Sequence, residues 1–194
     1  MVVGWRKVLE EFREKAQGTP ELEALIASLS RALEKLEKEG LDPRLEVTEG
    51  DGTTLTLSLS IEKLIKEAKK ASDKVIEVIR VNIPVPPTIR VVNGHRILSV
   101  KLPEQTLQEL MKDEVFMKKL EQVGSIVRDR IVIDLTELEM KLIEQGVMQI
   151  QQSVEQALVL QDVLSVVADS GRRVEWKSLT EVRGRRLIVS LKIQ

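Results

Sequence analysis

Apolar positions along the first forty residues recur at steps of three and four. Trp5, Val8, Leu9, Phe12 and Ala16 share one helical face, and Leu22, Leu25, Ile26, Leu29, Leu33 and Leu36 share a second. Gly18 closes the first helix, Thr19 and Pro20 open the next as N-cap and first helical residue, and Gly40 supplies the positive φ that ends it. Together they predict a helical hairpin. Between Arg44 and Ser60 the period drops to two: Leu55, Leu57 and Leu59 alternate with Thr and Ser across an Asp51-Gly52 turn, which predicts a β-hairpin. Ile61, Leu64, Ile65 and Ala68 return to helical spacing. The β-branched run Val75, Ile76, Val78, Ile79, Val81, Ile83 then predicts a strand.

Pro84, Pro86 and Pro87 enforce an extended connection, and the expected domain boundary lies at 84–87, between a unit over 1–83 and a unit over 88–194. The order then repeats. Residues 88–102 predict a hairpin around Asn93-Gly94, 104–122 a helix on Leu107, Leu110, Met111 and Leu120, and 129–135 a strand. Hairpin, helix, strand thus occurs over 44–83 and again over 88–135, which suggests a duplicated architecture. A last hairpin spans Arg172 to Ile193 with its turn near Arg183-Gly184.

Between them runs the longest pattern. Met140, Ile143, Val147, Ile150, Val154, Ala157, Gln161, Leu164 and Ala168 recur at alternating steps of three and four, a heptad seam. One helix over about 136–169 would be about 50 Å long at 1.5 Å per residue, so something must pack along it. The seam residues Ile143, Val147, Ile150, Val154, Ala157, Gln161 and Leu164 are therefore the expected interface of a homo-oligomer, with the polar Gln161 fixing register. The fold class expected is α+β, antiparallel β-hairpins packed with amphipathic helices, one of them long and heptad-patterned.

Composition narrows the chemistry. At 194 residues, with 42% apolar and 31% charged residues, the chain is expected to fold rather than to remain disordered. Without cysteine it has no disulfide, thiolate or cysteine-zinc chemistry. No apolar run reaches the roughly 18 residues of a membrane span and the N-terminus lacks the order of a signal peptide, so the expected location is cytoplasmic. Two asparagines, no cysteine and abundant Glu, Lys and Arg match the bias of heat-stable proteins. Neither G-x-x-x-x-G-K-[ST] nor G-x-G-x-x-G occurs, which argues against nucleotide hydrolysis. The single histidine, His95, follows a turn dipeptide and reads as a hairpin residue. Asp129, Asp134, Glu137 and Glu139 surround a strand-to-helix transition. They read as capping and dipole-complementing groups of the long helix, with Asp134 or Thr136 taking its free N–H groups, and no metal is expected there.

A net charge of −1 conceals a segregated surface. The C-terminal hairpin carries Arg172, Arg173, Lys177, Arg183, Arg185, Arg186 and Lys192 against only Glu175 and Glu181, and Arg90, Arg96 and Lys101 add to the second hairpin. A basic ribbon of this kind contacts phosphates, with Trp176 available to stack on a base, so Arg172, Arg173, Lys177, Arg183, Arg185 and Arg186 are the candidate contacts for DNA, RNA or an acidic protein.

Asp162, the apolar run 163–168, the Asp169-Ser170-Gly171 turn and Arg173-Val174-Glu175-Trp176-Lys177 form a pattern similar to the active hairpin of PD-(D/E)xK nucleases. That resemblance covers about 16 residues and implies Asp162 and Glu175 as ligands of a divalent ion such as Mg, with Lys177 positioning the attacking water. It requires 163–168 to be extended, whereas the heptad register requires helix. The longer helical pattern carries the greater weight. The expectation is a non-enzymatic oligomeric binding or structural subunit without cofactor. The metal-dependent nuclease and the purely structural assembly unit are the alternatives.

Overall fold

The computed structural model describes residues 4–15, 17–18, 20–50, 52–167 and 176–193, with side chains described outside 21, 157–180 and 193. The chain is α+β, with six helices and two four-stranded antiparallel sheets among these residues. It divides into two compact units, Met1–Lys63 with Gly146–Gln194, and Leu64–Gln145. In sequence the second unit is inserted into the chain of the first.

The first unit opens with α1 (Trp5–Lys15) and α2 (Pro20–Lys38). Their stripes bury Trp5, Leu9 and Phe12 on one helix and Leu25, Ile26, Leu29, Leu33 and Leu36 on the other. Gly18 and Gly40 both adopt the positive φ that stops each helix. A polar clasp joins the two. Trp5 Nε1 donates to Glu37 Oε2 at 2.6 Å, Arg6 Nη1 lies 3.0 Å from the same oxygen, and the Arg6 guanidinium sits 4.3 Å over the indole ring. The Trp5 N–H and the Arg6 guanidinium hold the Glu37 carboxyl below its usual 4.5. A depressed carboxylate pKa contributes stability above the unfolded value and loses it as pH falls through the folded one. We expect Trp5 fluorescence, read in a Trp176→Phe background, to report loosening of α1 as pH drops below 4.5. In Glu37→Gln that acid step should vanish; an identical step would show that another carboxylate governs it.

Strands β1 (Arg44–Gly50) and β2 (Gly52–Ser60) form a hairpin, and β7 (Trp176–Arg183) and β8 (Arg186–Ile193) form a second. The two join antiparallel through β2 and β8, giving the order β1-β2-β8-β7. Leu45 stands opposite Leu57, and Leu55, Leu57 and Leu59 stand opposite Leu191, Val189 and Leu187. All of these are buried, so one face is core. Thr54, Thr56, Ser58 and Ser60 alternate on the other.

The second unit contains most of α3 (Glu62–Asn82), β3 (Thr88–Val92), β4 (His95–Lys101), α4 (Glu104–Lys112), α5 (Glu114–Val123), β5 (Gly124–Val127) and β6 (Arg130–Asp134). Its sheet order, β3-β4-β6-β5, repeats the plan of the first: two hairpins joined through their inner strands. The repetition is one of sheet topology, nested rather than consecutive along the chain. Its core gathers Ile76, Ile79 and Ile83 from α3 and the residue after it, Leu98 and Val100 from β4, Ile131 and Ile133 from β6, and Leu107 and Leu120 from α4 and α5.

Three local expectations are corrected. Residues 75–82 are helix, not strand: Ala68, Ser72, Ile76, Ile79 and Ile83 recur at helical steps and are buried, and this period overrides β-branched content. The expected helix over 104–122 is two, because the Asp113 side chain accepts from the Val115 and Phe116 N–H groups and starts α5 afresh. The strand expected at 129–135 is one arm of a hairpin whose other arm, β5, precedes it; Arg128 takes the positive φ at its turn.

The long helix α6 spans Leu135–Val167. It begins in the second unit and ends in the first. Ile150 and Val154 are already buried within the chain, Ile143 and Val147 are half-buried, and Met140 is 51% exposed. Ala157, Gln161 and Leu164 lie on its backbone with side chains outside the described set. None of the described helices is long and apolar enough to cross a membrane.

Candidate strand-edge interface

The hairpin β3–β4 turns through Asn93 and Gly94, both at positive φ (51° and 79°), the geometry of a two-residue type I′ turn. In such a hairpin the flanking pair, here Val92 and His95, exchanges both backbone hydrogen bonds, and alternate pairs follow. Val92, Arg90 and Thr88 therefore turn their N–H and C=O groups toward β4. Ile89 and Val91 turn theirs outward, where β3 is the edge of the sheet. All five β3 residues are exposed, including Ile89 (39%), Val91 (71%) and Val92 (54%).

The other edges differ. β1 carries Arg44, Glu46 and Glu49 and lies against α1, with Lys15 Nζ 3.1 Å from Glu49. β7 carries Lys177, Glu181 and Arg183, and β5 is only four residues long. Charges and short length blunt an edge against pairing. In β3 the sole charge is Arg90, which makes no ion pair with any described residue. Sequence reading placed Arg90 in a basic hairpin and did not single out the edge, because which strand ends a sheet depends on the pairing of β4 with β6.

The turn end of the hairpin is fixed by a polar knot at the start of α6. Asp134 Oδ2 lies 2.9 Å from His95 Nδ1, Asp134 Oδ1 accepts the Glu137 N–H at 3.0 Å, and Thr136 Oγ1 accepts the Arg96 N–H at 2.9 Å. Asp134 is thus the cap of α6 as well as the partner of His95. The remaining carboxylates disperse to separate cations: Glu137 to Lys141 at 3.2 Å, Glu139 to Arg96 at 3.9 Å, Asp129 to Lys101 at 3.9 Å. No group of three such side chains among the described residues converges on a metal position.

Three arginines of the C-terminal hairpin have partners within the chain. Arg186 donates from Nη2 to the carbonyl oxygens of Asp42 (2.8 Å) and Ser58 (3.0 Å) and from Nε to Ser58 Oγ, and its Nη1 faces Asp42 Oδ2 at 3.4 Å. Arg183 pairs with Glu181 at 3.2 Å and Arg185 with Glu62 at 3.6 Å. Lys177 stands opposite Lys192 in the ladder, while Arg172 and Arg173 lie outside the described residues. Of the nuclease pattern, Asp162 and the following residues to Val167 are helical rather than extended, contrary to what the resemblance requires; Glu175 lies outside the described residues. No protein-family model, no curated protein and no solved structure matches the chain.

Proposed function

We propose that the chain is a non-enzymatic binding subunit that takes an extended segment of a partner along β3, adding a fifth strand to the sheet β3-β4-β6-β5. The supporting observation is the combination met on one strand. Ile89 and Val91 direct their backbone polar groups away from the sheet, and Ile89, Val91 and Val92 stand exposed where the longer edges of the other sheet carry charges. A bare apolar edge is a liability that folded proteins suppress. Its retention is accounted for by strand addition, in which main-chain hydrogen bonds supply affinity and alternate side chains supply selectivity. The hydrogen bonds of Arg186 to Asp42 and Ser58 weigh against that residue as a phosphate contact.

The test uses a synthetic peptide of alternating Val and Thr. It should slow amide exchange at Ile89 and Val91 while leaving Arg90 and Val92, already bonded to β4, unchanged. Val91→Pro deletes an outward donor without touching the β4 ladder, so it should abolish that protection and keep the melting temperature near that of the parent. If no such peptide slows exchange at either amide, β3 is not a docking edge.

A further inference from the structure

Resting on the reading of β3 as a docking edge, we infer that the segment it takes is a peptide of another protein with an acidic side chain between two apolar ones, set opposite Arg90. On its own face of the sheet Arg90 is surrounded by Thr88, Val92, His95, Ile97 and Ser99, none of them acidic. The nearest carboxylate in its row is Asp134 on β6, two strands away, and both of its oxygens are engaged by His95 and the Glu137 N–H. The guanidinium is therefore a charge on an apolar strand with no counter-charge on the inner side among the described residues. An incoming strand runs about 5 Å outside β3 and places a residue directly opposite Arg90, on the same face. A carboxylate there completes the row. The flanking positions lie beside Ile89 and Val91 on the other face, where β-branched side chains match them.

The same charge selects against a second copy of β3. Matching the outward groups of two β3 strands pairs Ile89 of one with Val91 of the other and forms four backbone hydrogen bonds. It also sets the two Arg90 side chains directly opposite each other, a like-charge pair that destabilises the ladder. Sliding the strands until Val91 faces Val91 avoids the clash, but it matches only that pair within β3 and sends Ile89 to Asn93, which is in the turn. Arg90 thus works as a gate on the edge, repelling the strand's own copy and admitting an acidic one.

Two labelled peptides, alternating Val and Thr around one central Glu or one central Lys, distinguish the outcomes. For the parent protein the Glu peptide should bind about five- to tenfold tighter than the Lys peptide. The difference should shrink as salt is raised. Arg90→Glu should reverse the preference. Equal affinities with slowed exchange at Ile89 and Val91 would overturn the charge selection and leave strand addition standing. No slowing with either peptide would remove both. Concentration-dependent dimers that protect Ile89 and Val91 without peptide would make a second copy the occupant and overturn the inference.

Discussion

Replacing Arg186 with alanine should lower the unfolding free energy by about 2–3 kcal/mol, the upper range for hydrogen bonds made by a charged group. Its side chain is only 23% exposed and its guanidinium gathers the Ser58 hydroxyl and two backbone carbonyls. Those contacts tie β8 to β2, the central junction of the first sheet, and to the Asp42 loop that leads into β1. Removing the side chain leaves the part-buried Ser58 carbonyl short of a donor, which costs more than the lost attraction alone. Arg186→Lys should recover little, because one ammonium cannot reproduce a fork that donates in three directions. Arg185→Ala is the control: its partner Glu62 is 3.6 Å away and both side chains are more than half exposed, so a change within about 0.5 kcal/mol is expected. Urea unfolding of the three variants reads the difference. Equal losses at Arg185 and Arg186 would mean that the fork at Arg186 is not what joins the two hairpins.

This division of labour among arginines shows where the sequence was legible. Helix stops at Gly18 and Gly40, the Asn93-Gly94 turn and the alternation of Leu55, Leu57 and Leu59 are local signals, and the local structure follows them. A charge count is also local, but the partner of a charge is not: Asp42 and Ser58 lie 144 and 128 residues from Arg186 in the chain. Within α3 two local signals disagreed. β-branched content pointed to a strand over 75–83, while the spacing of Ala68, Ser72, Ile76 and Ile79 pointed to a helix, and burial on one face decided for the helix. The α4–α5 break was written in Asp113 as an N-cap without the usual Gly or Pro to announce it.

The edge strand illustrates a different limit. Thr88 to Val92 reads as a strand at any position in a sheet, and its β-branched residues would suit a buried centre as well as a rim. Only the pairing of β4 with β6 on its other side leaves β3 at the margin. The same holds for the α6 seam, whose apolar spacing is compatible with packing inside the chain or against a second one; Ile150 and Val154 are covered from within. What α6 shares with β3 is that composition sets the kind of surface and topology decides whether it stays open.

Gly124→Ala should destabilise the protein by about 1–3 kcal/mol through overpacking, with the loss concentrated in the β5–β6 hairpin. Gly124 has an extended backbone, φ −165°, so no left-handed conformation demands glycine there. The requirement is space. A Cβ at this position would collide with the Val132 carbonyl oxygen and stand 2.7 Å from Ile133 Cγ1. The first of these atoms is backbone held in the sheet, and the second belongs to a residue with no exposed surface, so neither yields cheaply. The strand begins immediately where α5 ends, with the Gly124 N–H still bonded to the Leu120 carbonyl, which leaves β5 little freedom to retreat. Gly124→Val should cost more than alanine. Gly50→Ala is the contrast, since a Cβ there meets nothing within 4 Å, and it should be neutral or slightly stabilising. Denaturant melts with amide exchange read at Ser125 and Val127 test both. Should Gly124→Ala leave stability and β5 protection intact, the close approach of β5 to β6 is not a constraint on the fold, and the rim opposite β3 is looser than its ladder implies.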